Sequence, residues 1–366
     1  CSLASIFYNL GMISGALLLV PRFGLAGLAW GVSLGSACHL LVQLPVIWNL
    51  GWRYQAVLDW KNKQLQLIYK MMTARTLSLV INQVNLLVET IFASTLVSGS
   101  LAVFNLANNL QSFPVGIFGL SFAIAAFPAI AASAFDKERL VYYFSKTLRQ
   151  IFYFIIPSTV VLILLRAQIV RLVLGSGKFD WNDTILTMNT LTFFALSLFA
   201  QATIPLLVRF YYARHDSRTP LYLGLIASAV NIVLNYYLVH SSLGVAALAL
   251  SFSLSSIVQF ALLFIFLRIE LGSLDEGLLF KSIGKMLLAA SAAGLVIQLM
   301  KTWLGFSLEI SFGWQLLLQF VLPASTGLAV YGIVTYPEIL NLLKHVQGRL
   351  PWRQVGASDQ GEARGI

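Results

Sequence analysis

Polar side chains recur at helical spacing on two consecutive apolar stretches of this chain. Ser78, Asn82, Asn85 and Glu89 fall at i, i+4, i+7 and i+11 in one; Asn105, Asn108, Asn109 and Ser112 fall at i, i+3, i+4 and i+7 in the next. At about 100° per residue, each set shares one helical face. Amides and hydroxyls hydrogen-bond without carrying charge, so such a face suits either a hydrated cavity or the contact between packed helices. Glu89 is the only carboxylate deep within any apolar stretch, and a carboxylate there must face a cavity or a partner. A sparser set follows: Asn231 and Asn235 at i, i+4, then Ser251, Ser253, Ser255 and Ser256 on the next stretch. One carboxylate among neutral oxygens is a hard donor set, suited to a small cation such as Na⁺. Hydrogen-bonded contacts between helices, with Glu89 simply protonated, are the competing reading, and the spacing does not choose.

The constellations of an enzyme are missing from the sequence. His39, His215, His240 and His345 lie on separate elements without an HExxH pattern, and Cys1 and Cys38 form no CxxC pair. GSGK at 175–178 has the glycines of a phosphate loop but not the GxxxxGK[ST] frame, and reads as a turn. No pair of membrane-embedded carboxylates offers acid–base work. The chain is expected not to be an enzyme, and to need no cofactor beyond a coupling Na⁺ or proton.

The elements that hold these residues follow from composition. Of 366 residues, 58% are hydrophobic and 10% charged, with mean hydropathy +0.81. A soluble domain has roughly 25% charged residues, so this is an all-α integral membrane protein. Spans are expected near 2–20, 25–49, 72–97, 101–133, 148–174, 184–212, 220–240, 243–268, 281–303 and 312–336, ten in all. Pro114 and Pro128, inside the fourth, would let that helix bow around a cavity. Placed on alternating sides, the 24 Lys and Arg split 19 to 5. By the positive-inside rule, this puts 50–71, the loops near 136, 215 and 275, and the C-terminus in the cytoplasm. The net charge of +10 is therefore a matter of topology, with no nucleic-acid partner implied. Residues 51–70 suit an amphipathic interfacial helix or an ordinary loop.

Several segments together carry a resemblance. FGLAGLAWGVSLGSACHLLVQLP (23–45), INQVNLLVETIFASTLVSGSLAVFNLANNLQSFPVGIFGLS (81–121), LVLGSGKFD (172–180) and YYARHDSRTP (211–220) resemble the MurJ/MviN family of lipid II flippases. That family implies fourteen spans in two pseudo-symmetric six-helix lobes plus two additional helices, of which the ten here look like the last ten. The chain lacks an initiator Met, and its first residues already read as a span, which suggests that four further helices precede Cys1. On this view 1–50 end the N-lobe, 51–71 are the cytoplasmic interlobe linker, and 72–268 are the six-helix C-lobe. Residues 269–337 would be the additional pair, associated in the family with a groove for the lipid tail, and 338–366 a cytoplasmic tail.

The resemblance further implies a protein of the bacterial cytoplasmic membrane that flips undecaprenyl-linked lipid II by alternating access, among membrane lipids and near the cell-wall synthesis machinery. Ser78, Asn82, Asn85, Asn105, Asn108, Asn109 and Ser112 would then line the substrate cavity. Some members bind Na⁺ between the helices matching the third, seventh and eighth spans here, which points to Glu89, Asn231, Asn235 and Ser251, with the Ala247 carbonyl as a fifth ligand. Two departures stand out. The family's N-lobe arginines, which the resemblance associates with the pyrophosphate, would belong to the four helices expected before Cys1. In the fourth span Asn109 lies where many members have an arginine, with Ser112 where such members have an acid. A relative in the same superfamily, a polysaccharide-lipid flippase or a multidrug/cation antiporter, is the alternative function. A membrane-bound glycosyl or acyl transferase would need a catalytic group that the sequence does not offer.

Overall fold

The computed structural model describes residues 2–49, 51, 65, 66, 69, 83–175, 179–307 and 313–338, and every regular element among them is helical. Residues 1–73 and 74–366 form two compact units.

Glycines decide the packing of the first unit. Helix α1 (Ser2–Ser14) runs through a π-helical turn at Gly15–Leu19 into α2 (Val20–Phe23). Gly24, at φ +58°, turns the chain into α3 (Leu25–Asn49). Gly27, Gly31 and Gly35 repeat every fourth residue along α3. A Cβ at Gly31 would come within 2.6 Å of the Gly15 Cα, and one at Gly35 within 2.6 Å of the Tyr8 carbonyl oxygen. The two backbones therefore touch. Lipid supplies no hydrophobic drive between helices, so this close approach is what holds the pair. Leu17, Leu18 and Trp30 point away from it and are exposed, as lipid-facing residues should be.

The second unit begins with a helix over 83–94, here α4. It continues through α5 (Ser100–Pro114), a π-helical turn at Val115–Leu120, α6 (Ser121–Ala132), α7 (Lys137–Leu164), α8 (Arg166–Leu174), α9 (Trp181–Ala195) and α10 (Leu198–Ala213). Helices α11 (Arg218–Leu238), α12 (Val245–Leu271), α13 (Glu276–Ser307) and α14 (Trp314–Val334) complete it. Helix α5 packs on α9 and α12, α10 on the π turn and α6, α11 on α12, and α13 on both α7 and α14.

Among the described residues, eight helices are long and apolar enough to cross a membrane, or nine with the bent pair α9–α10 counted as one span. The expected ten differ in three places. The span placed at 72–97 is described only from residue 83. That placed at 148–174 starts instead at Lys137, where Asp136 caps the helix through a bond from the Arg139 amide (3.2 Å). Its first turns are charged but helical, which hydropathy alone misses. The same helix stops at Leu164, whose carbonyl accepts a bond from Lys301 Nζ (2.7 Å), and 166–174 is a separate helix. The span placed at 184–212 is two helices bent by 48°. At the bend the Leu196 and Ser197 amides bond the Phe193 and Phe194 carbonyls (3.3 and 3.2 Å), three residues back, a tighter turn than the helical ladder.

The ends of the second unit sort as the alternation of spans requires. The Lys137 ammonium lies beside Gly272, and Arg214 and Arg268 pair with Glu270 and Glu276 at that same end. Arg166 and the 242–245 turn meet at the other end.

Candidate functional site: two polar faces in the second unit

The α5 stripe divides. Asn105, Asn109 and Ser112 are exposed, and Asn108 is half-buried. The Ser112 hydroxyl bonds only to its own helix, at the Asn108 carbonyl (2.7 Å). No described residue on another helix bonds Asn105, Asn109 or Ser112. Gly116 continues their face with open space around it. Beside it runs an apolar exposed face of Phe113, Ile117, Leu120 and Ile124. Desolvating an amide without a partner costs several kcal/mol, so an exposed amide face on a spanning helix calls for water or a polar ligand.

Asn108 belongs to a different structure, one that the sequence stripe did not include. Gln111, only 1% exposed, donates from Nε2 to both Asn108 Oδ1 (2.9 Å) and Gln201 Oε1 on α10 (2.9 Å). Gln201 Nε2 donates to Ser197 Oγ (2.8 Å), Ser197 to Ser253 Oγ on α12 (2.9 Å), and Ser253 to the Phe193 carbonyl (2.7 Å). This chain crosses α5, α10 and α12 at the α9–α10 bend. The nearby π turn presses on α10: a Cβ at Gly119 would stand 2.6 Å from the Ala202 carbonyl oxygen. Gln111 sits beside the stripe in sequence, yet only the position of α10 reveals it as the buried member.

The second face lies between α4, α11 and α12. Ser228 donates to Asn85 Oδ1, tying α11 to α4. Asn85, half-buried, thus makes a contact between helices. Ser78 and Asn82 lie outside the described residues. Asn235 Nδ2 donates to Asn231 Oδ1 (3.0 Å), Asn231 Nδ2 to Ser255 Oγ (3.3 Å), and Ser251 Oγ to the Ala247 carbonyl (3.0 Å). Asn231, Asn235, Ala247, Ser251 and Glu89 are all buried. Glu89 lies one turn past Asn85 on α4, and Asn231 one turn past Ser228 on α11. Asn235 Oδ1 is buried without a hydrogen-bond partner among the described residues. An oxygen in that condition fits a cation ligand better than a completed packing contact. Among the described residues no cluster of three or more His, Cys, Asp or Glu could hold a metal ion, so any cation here would rest on one carboxylate and neutral oxygens.

The residues of the recurring segments prove to be backbone devices. Gly99 takes φ +95° in the turn before α5. In YYARHDSRTP, Tyr211 OH bonds the Leu263 carbonyl (3.0 Å), Arg214 pairs with Glu270, and Asp216 Oδ1 accepts from the amides of Arg218 (2.9 Å) and Thr219 (3.1 Å) at the start of α11.

These elements define a multi-pass α-helical membrane protein with polar faces on its spans, the class to which membrane transporters belong. The family is narrower: a sequence model described as lipid II flippase MurJ matches residues 1–317, and the chain belongs to that family, multi-pass proteins of the bacterial inner membrane. A probable lipid II flippase MurJ of Thermotoga maritima is 32% identical over 302 residues, covering 82% of this chain and 59% of that protein. One from Vibrio cholerae is 28% identical over 350 residues, covering 93% of this chain and 65% of that protein. The chain thus spans about three-fifths of the length of these two relatives. A solved structure described as lipid II flippase MurJ in an inward closed conformation matches the fold with a TM-score of 0.74 at 22% identity, over 92% of this chain and 68% of that one.

Proposed function

We propose that this protein moves lipid II, the undecaprenyl-linked peptidoglycan precursor, across the membrane by alternating access. The observation that carries the reading is the exposed face of Asn105, Asn109 and Ser112 on an otherwise apolar span of a chain in this family. The amides would contact the sugar-and-peptide headgroup or its hydration, while the Phe113–Ile124 face meets lipid. Asn109 hydrogen-bonds a diphosphate without neutralising it, so the headgroup charge would be met elsewhere. The 19 to 5 distribution of Lys and Arg supports a cytoplasmic C-terminus and cytoplasmic loops near 136, 215 and 275. Residues 72–268 would act as one six-helix lobe, with 269–337 as an accessory pair. Purified protein in liposomes should flip labelled lipid II and should not export cationic dyes. Dye export without lipid flipping would overturn the reading.

A Na⁺ ion or a proton is the proposed coupling species, held by Glu89, Asn231, Asn235 and Ser251. The orphaned Asn235 oxygen supports this set. The Ala247 carbonyl is the weakest member, because it already accepts the Ser251 hydroxyl (3.0 Å). A cation here would bias the lobe only by binding one conformation more tightly than the other. Flipping by the Glu89→Gln variant should lose its dependence on Na⁺ gradient and pH. An unchanged rate with unchanged ion and pH dependence would remove the site from coupling.

A further inference from the structure

Away from both polar faces, at the end of the second unit opposite the Arg214–Glu270 pair, lies a cavity of about 320 Å³ whose lining includes Arg166, Asn189, Thr192 and Ser242. We propose that it binds a phosphate group bearing net negative charge, with the headgroup of an anionic phospholipid as the favoured source. Four observations converge. Arg166 opens α8 directly after the break at Leu165, and its Nη1 donates to Thr192 Oγ1 (2.8 Å), which orients the guanidinium and leaves its other donors without a partner among the described residues. Thr192 in turn donates to the Met188 carbonyl (2.8 Å), so the support is itself held. A planar fork of this kind matches phosphate oxygens bidentately.

Second, the charge has no local answer. None of the ion pairs among the described residues includes Arg166, and no carboxylate lines the cavity. Asp180 and Asp183, the acids on α9, are occupied with each other's amides in a capping box (2.8 and 3.2 Å). Lys301, whose Nζ donates to the Leu164 carbonyl (2.7 Å) two residues before Arg166, adds to the positive field. Third, Val245 and Ala246 of the first turn of α12 line the cavity, so the positive end of that helix's dipole lies near it. Fourth, this end of the bundle carries exposed Trp181, Tyr236 and Tyr237, the aromatic belt of a headgroup region. Exposed Leu186 and Leu243 flank the opening and offer apolar contact to an acyl chain. The inference does not depend on the lipid II reading.

The test compares lipids retained by the purified full chain in native mass spectrometry, with phosphatidylglycerol against phosphatidylcholine, for the intact protein, Arg166→Gln, Arg166→Lys and Ser242→Trp. Loss of a charge-assisted pair of this type predicts about a tenfold drop in phosphatidylglycerol retention in Arg166→Gln, with partial recovery in Arg166→Lys. Ser242 is exposed at the mouth, so Ser242→Trp should block the cavity without disturbing the fold, and give the same loss. No lipid preference, but inorganic phosphate binding that Arg166→Gln and Ser242→Trp both abolish, would support the phosphate site with a soluble source. Retention of lipid and phosphate unaltered by both variants would overturn the proposal.

Discussion

Asn105–Asn109 and Asn231–Asn235 are the same motif, two asparagines one helical turn apart on an apolar span, with opposite outcomes. The first pair is exposed and makes no bond to another helix among the described residues; the second is buried, bonded internally and bonded onward to Ser255. The difference lies in what faces them. Helix α12 presents Ser255 toward α11, whereas α5 turns Gln111, and not its asparagine pair, toward α10. Spacing fixes which residues share a face; only the neighbour decides whether that face is a contact or a lining.

The largest expected effect separates the two by activity. Asn109→Leu, and Asn105→Leu with it, should lower lipid II flipping about a hundredfold or more, equivalent to ~2.7 kcal/mol of barrier. The thermal midpoint should stay unchanged, since no interhelical bond is lost. Normal flipping with leucine at both positions would make this face lipid-facing and erase the contrast. Asn235→Leu should instead destabilise the protein, besides removing a ligand of the proposed coupling site. Removing it leaves Asn231 short of a partner in a closed interior, a loss of about 1–3 kcal/mol, seen as a lower unfolding midpoint in detergent. A midpoint shift in Asn109→Leu as large as that in Asn235→Leu would break the comparison.

Much of this was legible from residues alone. The apolar stretches, the sorting of charged residues to two ends, and the polar faces of α5 and α11 follow from composition and period. The buried chain through Gln111, Gln201, Ser197 and Ser253 was not, because its members sit at unrelated sequence positions and meet only where α9 and α10 bend. The Gly27–Gly31–Gly35 repeat gains its meaning only in the structure, where Gly11 and Gly15 stand against it. The helix that begins at Lys137 was hidden by its charges: hydropathy detects a membrane, not a helix that extends beyond it into water.

A double-mutant cycle on Gln111 and Gln201 sharpens the contrast within α5 itself. Gln111→Leu, Gln201→Leu and the pair should yield a coupling energy of about 0.6–1.7 kcal/mol, the range for polar contacts between membrane helices. The same cycle on Asn109 and Gln201 should give no coupling. Equal couplings would mean that the exposed and buried sides of α5 are not distinct.

The smallest effect concerns a polar group that needs neither a cavity nor a partner helix because water reaches it. Burial alone would raise the Asp216 carboxyl, but bonds from the Thr219 side chain, from the Thr219 and Arg218 amides, and the Arg214 charge outweigh it and hold the group below its ordinary value. A depressed folded value contributes stability that is fully present above the unfolded value, near 3.9, and is lost as pH falls through the folded one. Asp216→Ala removes a cap at the start of α11 and should cost about 0.5–1 kcal/mol at pH 7. Its midpoint difference from the intact protein should shrink as pH is lowered from 5 to 3. Asp216→Asn keeps the acceptor without the charge, so its difference from the alanine variant should be flat over that interval. A gap between the intact protein and Asp216→Ala that does not move with pH would show that the carboxylate's charge contributes nothing there, and that Asp216 acts only as a neutral acceptor.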